Sequence, residues 1–233
     1  MLSNTLATNL TKVESNQLLR SVYNWMMVGL LVSGLTAFMV AHSEALTHII
    51  FGNAYMIWVL FIIELGLVIA ISSGIQKMDV STARVLFILF SFVDGLTLAV
   101  IFLAYTDTSI ATTFFIAAMT FGVMSIYGYF TETDLTSWGN ILFVGLIGIV
   151  IAIVVNFFLH NPVVDWWISV IGVIIFVGLT AYDTQKIKQM GEAMANDIEE
   201  SLSRIAIVGA LSLYLDFINL FIMLLEFFGN RKN

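Results

Sequence analysis

Cysteine is absent from this chain of 233 residues, and proline occurs once, at Pro162. Together these exclude a disulfide scaffold, a cysteine-ligated zinc site and a thiol nucleophile. Charge is also scarce: Asp, Glu, Lys and Arg make up 11% of the residues, less than half their usual share in a soluble domain. The three histidines, His42, His48 and His160, are too scattered for a metal site. No nucleotide-binding loop, metalloprotease helix motif or basic aromatic stripe occurs, so neither a cofactor nor a nucleic-acid partner is expected. No nucleophile has a partner base, and no two-aspartate protease motif has its glycines, so the chain does not read as an enzyme. A net charge of −7 would ordinarily suggest a basic partner, but several of the acids lie inside apolar segments, and the total carries little weight.

Apolar residues are what the chain has in abundance. They form 60% of it, about 140 residues, enough for seven bilayer spans of about 20 residues each. Hydropathy places the spans at 22–41, 55–73, 85–105, 110–130, 140–159, 166–182 and 205–228. The expected fold class is therefore an all-α membrane protein with seven transmembrane helices. Residues 1–20 read as a polar cytoplasmic tail with no cleavable signal, and 21–233 as one seven-helix transmembrane domain. The connections are short except 183–204, which is charged and partly helical by composition.

Orientation follows from the basic residues. Lys12 and Arg20 lie in the tail, Lys77 and Arg84 in the second connection, and Lys186, Lys188 and Arg204 in the sixth. With the amino terminus inside, seven cations are cytoplasmic and two, Arg231 and Lys232, are outside. The expected location is a bacterial inner membrane, with the amino terminus cytoplasmic and the carboxyl terminus outside.

Small residues recur at helical spacing: Gly29, Ser33 and Ala37 on the first span, Ser91, Gly95 and Ala99 on the third, and Ala118, Gly122 and Ser125 on the fourth. Such stripes let backbones approach closely in lipid, and close packing of one monomeric bundle is the ordinary reading. Trp58, Trp138, Trp166 and Trp167 fall near span ends, as interface anchors do.

The acids inside the spans carry the functional signal. A carboxylate at mid-bilayer costs roughly 2.5–3.5 kcal/mol on insertion scales and is kept for a path, a partner or a proton. Asp216 sits mid-way along the last span, and Ser212, Asp216 and Asn219 share one face of that helix. Asp183 closes span six, where solvated capping is the bland alternative. Contact with Asp216 requires tilt, or a span six that runs deeper than its hydropathy limit. Glu64 and Asp94 are central in spans two and three and read either as part of an ion path or as protonated structural glue. Ser91 and Thr97 flank Asp94 and offer it local hydrogen bonds. Arg84 opens span three and can snorkel toward an inward-facing acid.

Three runs carry a resemblance: AYDTQKIKQMGE at 181–192, GALSLYLDFINLFIMLLEFFGNR at 209–231, and MSIYGYFTETDLTSWGNILFVGLIGIVIA at 124–152. Together they resemble the bacterial branch of the Bax-inhibitor-motif (TMBIM) membrane protein family. The resemblance implies six helices wrapped around a central carboxyl-terminal helix. It also implies a pH-sensitive calcium leak channel gated by a hydrogen-bonded aspartate pair, at Asp183 and Asp216. The family's pair-associated arginine maps to Arg84, whereas Asp94 is not a position of the family pattern. Two carboxylates in a poorly solvated site cannot both ionise cheaply, so the pair shares a proton. Calcium is then a permeant ion, and Asp183 and Asp216, with Glu64 and Asn219 nearby, would hold it weakly and transiently through hard oxygen ligands.

A second reading belongs to another class. Some relatives are described as non-conducting partners of an integral-membrane protease or a stress and survival complex. In that reading the buried acids are glue, and the amino-terminal tail is the handle. The orientation itself is open to a direct check. A reporter fused after Asn233 is expected to read as outside and one inserted within 185–203 as inside; both on one side would mean six spans.

Overall fold

The protein is described here by a computed structural model covering residues 2–193 and 199–232. The side chains of 1–14, including Lys12, lie outside the described residues, as does the 194–198 part of the sixth connection. Eight helices follow one another among the described residues: α1 (Leu2–Ala41), α2 (Glu44–Phe51), α3 (Ala54–Gly74), α4 (Val80–Ala104), α5 (Asp107–Phe130), α6 (Thr136–Leu159), α7 (Pro162–Ala193) and α8 (Glu199–Phe228). All except α2 are long and apolar enough to cross a membrane, so the seven-span, all-helical expectation holds. No strand is present among the described residues.

Local chemistry sets the helix ends. Ser43, Asn53 and Thr106 cap α2, α3 and α5 by accepting a bond from Leu46, Tyr55 and Ser109 backbone N–H groups, which have no partner within the helix. Asp134 accepts from the Thr136 N–H at 2.9 Å just before α6, a bond that holds its exposed carboxyl below the usual carboxylate range. α7 starts on Asn161–Pro162: the Asn161 side chain accepts from Val163 N–H at 2.9 Å, and proline suits the first helical position because its missing donor is not needed there.

Two helix limits differ from the hydropathy reading. Span six does not stop at Tyr182, because α7 continues to Ala193, which places Asp183 inside a helix rather than at its end. The stretch read as an amino-terminal tail is helical and continuous with span one. Ser15, Leu18 and Leu19 are buried, and the Ser15 hydroxyl donates to the Lys188 carbonyl at 3.2 Å. One face of 15–20 therefore packs against the protein, while Asn16, Gln17 and Arg20 stay exposed.

The chain forms two compact units. The first comprises 1–104 with 188–214, the second 105–187 with 215–233. In the first, the small-residue stripes of α1 and α4 face each other. A Cβ at Gly95 would lie 2.7 Å from the Ser33 carbonyl oxygen and 2.7 Å from Thr36 Cβ, and one at Gly29 would lie 2.8 Å from the Phe87 ring. Ala37 and Ala99 are buried in the same cluster, with Val40 and Val93. Dispersion between closely approaching backbones holds this pair, since lipid removes the hydrophobic drive.

In the second unit the stripe assigned to α5 is shifted. Gly122 has nothing within 4 Å of its Cβ position, and the buried face is Thr113, Ala117, Phe121, Ser125 and Gly128. The Gly128 Cβ position lies 2.2 Å from the Ala181 carbonyl oxygen, so only glycine admits this approach of α5 to α7. The same unit fixes the carboxyl end. Thr106 N–H donates to Asn230 O at 3.0 Å, Asn230 N–H donates to Ser109 Oγ at 2.9 Å, Arg231 lies over the Tyr105 ring and Lys232 pairs with Asp107. The two trailing cations thus have local partners beside the α4–α5 connection. The carboxyl end lies beside the start of α5.

α8 is buried over two thirds of its apolar stretch, more than any other span. Its Leu211, Leu213, Tyr214, Leu220 and Leu225 are almost fully enclosed. Gly95→Ala is expected to lower stability by about 1–3 kcal/mol through overpacking. Gly66→Ala on α3, where no atom lies within 4 Å, should instead gain about 0.5–1 kcal/mol from helix propensity. Thermal unfolding of both variants in detergent distinguishes close approach from a general intolerance of larger residues.

Candidate functional site

Asp216 lies on the half of α8 that belongs to the second unit, and it is 5% exposed. Its neighbours explain its position. Phe217 makes edge-to-face contacts with Phe114 and Phe121 of α5, at 5.4 and 5.6 Å between centroids. These rings fix the rotation of α8 at this level. The Asp216 Oδ2 atom is buried and has no hydrogen-bond donor, which is unusual, because buried polar groups are nearly always satisfied. The ionic neighbour that bears on it is Asp183, from α7 of the same unit. Asp183 is thus near enough to bear on Asp216 electrostatically, and it lies within α7 because that helix runs on to Ala193.

The segment of α7 around Asp183 is held on several sides. Ala181 meets Gly128 of α5, and the Tyr182 ring fills the space beside Gly139 of α6, with ring atoms 2.4–2.6 Å from that glycine's Cβ position. Thr180 and Thr184 return their hydroxyls to the Phe176 and Thr180 carbonyls at 2.7 and 2.8 Å, so neither donates to the aspartates. Gln185 is 6% exposed and binds the α5–α6 connection through both ends of its amide. The cation whose charge reaches Asp183 is Lys186, one helical turn further on, with its ammonium 5.7 Å from the Tyr182 ring centroid.

The remaining sequence candidates are placed as follows. Asn219 donates to the Leu215 carbonyl of its own helix at 2.8 Å, and Ser212 is half-buried in the part of α8 that belongs to the first unit. Arg84 is exposed and lies 5.5 Å from the Trp25 ring centroid. Among the described residues no group of three or more His, Asp or Glu side chains could hold a metal ion.

Glu64 and Asp94 belong to a separate polar cluster in the first unit. Thr97 donates to Glu64 Oε1 at 2.5 Å. Asp94 is 8% exposed and accepts from the Tyr214 hydroxyl, also at 2.5 Å. The local bonds expected for Asp94 do not form: Ser91 donates to the Phe87 carbonyl and Thr97 to Glu64. A helical back-bond and a cross-helix carboxylate are the better-placed acceptors, and the phenol of α8 takes their role. Phe87 and Phe90 flank Tyr214 edge-to-face at 6.3 and 5.5 Å. Tyr214 and Asp216 are two positions apart and point to different sides of α8.

Tyr214 and Gln185 escaped sequence reading. Both had a signal. A tyrosine enclosed in an apolar helix needs a partner for its hydroxyl, and an acid at mid-span without a cation needs a donor. Tyr214→Phe leaves Asp94 buried without that donor and is expected to cost about 1–3 kcal/mol. Thermal unfolding against Tyr127→Phe, an exposed tyrosine of α5, gives the comparison.

Comparison with known proteins covers nearly the whole chain. The Bax1-I family pattern, described as inhibitor of apoptosis-promoting Bax1, matches residues 15–233. The inner membrane protein YbhL of Escherichia coli K12 is 51% identical over 211 residues, covering 91% of this chain and 90% of its own. An uncharacterized protein of Borreliella burgdorferi is 45% identical over 94% of both chains. Protein RP147 of Rickettsia prowazekii is 42% identical over 91% of this chain and 89% of its own.

Proposed function

The chain belongs to the Bax1-I family of multi-pass membrane proteins, and on that premise we propose that it is a pH-sensitive calcium leak channel whose proton switch is the Asp183–Asp216 pair. The observation that carries this reading is Asp216 itself. It is a buried carboxyl with one oxygen left without a donor and with a second carboxyl, Asp183, as its ionic neighbour. Like charges in a site from which water is excluded do not both form at low cost, so the pair holds one proton between its members. Raising the pH removes that proton and leaves two like charges on α7 and α8. Repulsion then favours separation of the helices, and the separated carboxyls offer hard oxygens to a passing divalent cation. Because the carboxylates are few, the ion is held weakly enough to leave, as conduction requires. The similarity to an E. coli protein named for the inner membrane supports that location, and the distribution of Lys and Arg supports an amino terminus on the cytoplasmic side.

Calcium flux from purified protein in liposomes tests the assignment. Asp216→Asn keeps the size of the side chain but cannot ionise, so the mutant is expected to retain its fold and lose pH dependence. Asp183→Asn should do the same. In the double-mutant cycle the double variant should resemble either single, a strongly non-additive result. Additive shifts of the flux midpoint would show two independent acids. No flux at any pH would move the reading to a non-conducting partner of a membrane protease or survival complex.

A further inference from the structure

We propose that Gln185 is a positioning residue that ties the α5–α6 connection, 131–135, to α7 and makes that connection follow the state of the Asp183–Asp216 pair. The inference rests on the proton-switch reading of the pair. The geometry is a two-sided clasp. Gln185 Oε1 accepts from the Leu135 backbone N–H at 2.9 Å, and Gln185 Nε2 donates to the Thr133 carbonyl at 2.8 Å. One buried amide thus satisfies a donor and an acceptor two residues apart on a connection whose Glu132, Thr133 and Asp134 are otherwise exposed. Leu135 is the residue from which α6 starts, and it is buried.

Gln185 stands two residues beyond Asp183 on an uninterrupted helix. On the near side of Asp183, Ala181 is locked against Gly128 at the end of α5, and Tyr182 against Gly139 in the first turns of α6. The carboxyl thus sits in a turn of α7 gripped before and after by the same α5–α6 hairpin. A displacement of Asp183 must either carry the connection with it or break the Gln185 bonds. Both broken groups would be left unpaired, and Leu135 N–H would be unpaired in a buried setting. The charged groups that bear on Asp183 and its pair are Asp216 from α8 and Lys186 from α7. Only Asp216 is a buried acid. Loss of the shared proton therefore acts on α7 at the turn the connection grips.

The absence of cysteine permits a direct test. Leu135→Cys places the sole thiol of the chain at a buried position and keeps the backbone N–H that Gln185 accepts from. The rate of its reaction with a water-soluble maleimide is measured across pH in nanodiscs, normalised to the same thiol in unfolded protein at each pH. The rate is expected to be slow at low pH and to rise as the pair loses its proton. Adding Gln185→Leu should raise the low-pH rate about tenfold, the change in an opening equilibrium that 1.4 kcal/mol produces, and flatten the pH profile. Adding Asp216→Asn should flatten the profile while the rate stays slow. Gln185→Glu retains the acceptor and loses the donor; if the leucine variant does not fold, this one should react at an intermediate rate. Identical pH profiles with and without the Gln185 substitution would overturn the tie. Calcium flux is measured separately: a labelling profile with these differences in a protein that passes no calcium supports the tie and removes the channel reading.

Discussion

A carboxyl group deprived of both water and a cation is the constraint around which the second unit is organised. Asp216 meets that description, and the chain accommodates it with a second acid rather than a base. The usual solution for an intramembrane acid is a neutralising partner or a polar cavity. Here the ionic neighbour of Asp216 is Asp183, with Lys186 bearing on Asp183 from one turn further along α7, and the proposed switch rests on that arrangement. The aromatic contacts of Phe217, the glycines at 128 and 139 and the threonine back-bonds all serve to hold two like groups at one place without donating to either.

The first unit solves a related problem by different means. Asp94 and Glu64 also lack a basic partner, but each has a hydroxyl donor, Tyr214 and Thr97 respectively. Asp94 and Glu64 each have a donor, whereas one oxygen of Asp216 has none, and that difference sets the second site apart. α8 bears on both clusters through residues two positions apart. The close α1–α4 packing beside Asp94 follows from small residues, which bring backbones within reach and leave little room for water around the acid.

The YDTQK stretch shows how one short sequence is divided among tasks. Tyr182 packs, Asp183 carries the acid, Thr184 bonds its own helix, Gln185 binds the α5–α6 connection and Lys186 places a charge near Asp183. None of these roles depends on the residue next to it. Along a helix, consecutive side chains point in different directions, so a compact motif serves several neighbours at once.

Residue order alone decided that this chain is a seven-span helical membrane protein, because apolar length is set by bilayer thickness and needs no partner to be read. It also singled out the acids to be tested, since a charge in hydrocarbon is costly wherever it lies. The stripes of α1 and α4 were legible for the same reason: small residues at helical spacing have one use in lipid. What tertiary structure decided was pairing. Hydropathy ended span six at Tyr182 because the next residues are polar, yet the helix continues past Tyr182, packed against α5 and α6 at Ala181 and Tyr182 and against α1 at Gly191, and takes Asp183 with it to Ala193. The donor to Asp94 is 120 residues away in the chain, and the partners of Gln185 are backbone atoms 50 and 52 residues away. A backbone group has no identity in a sequence, and a hydroxyl does not announce which of several acceptors it will meet. Those choices are made by the rotation and depth of whole helices, which only the assembled bundle determines.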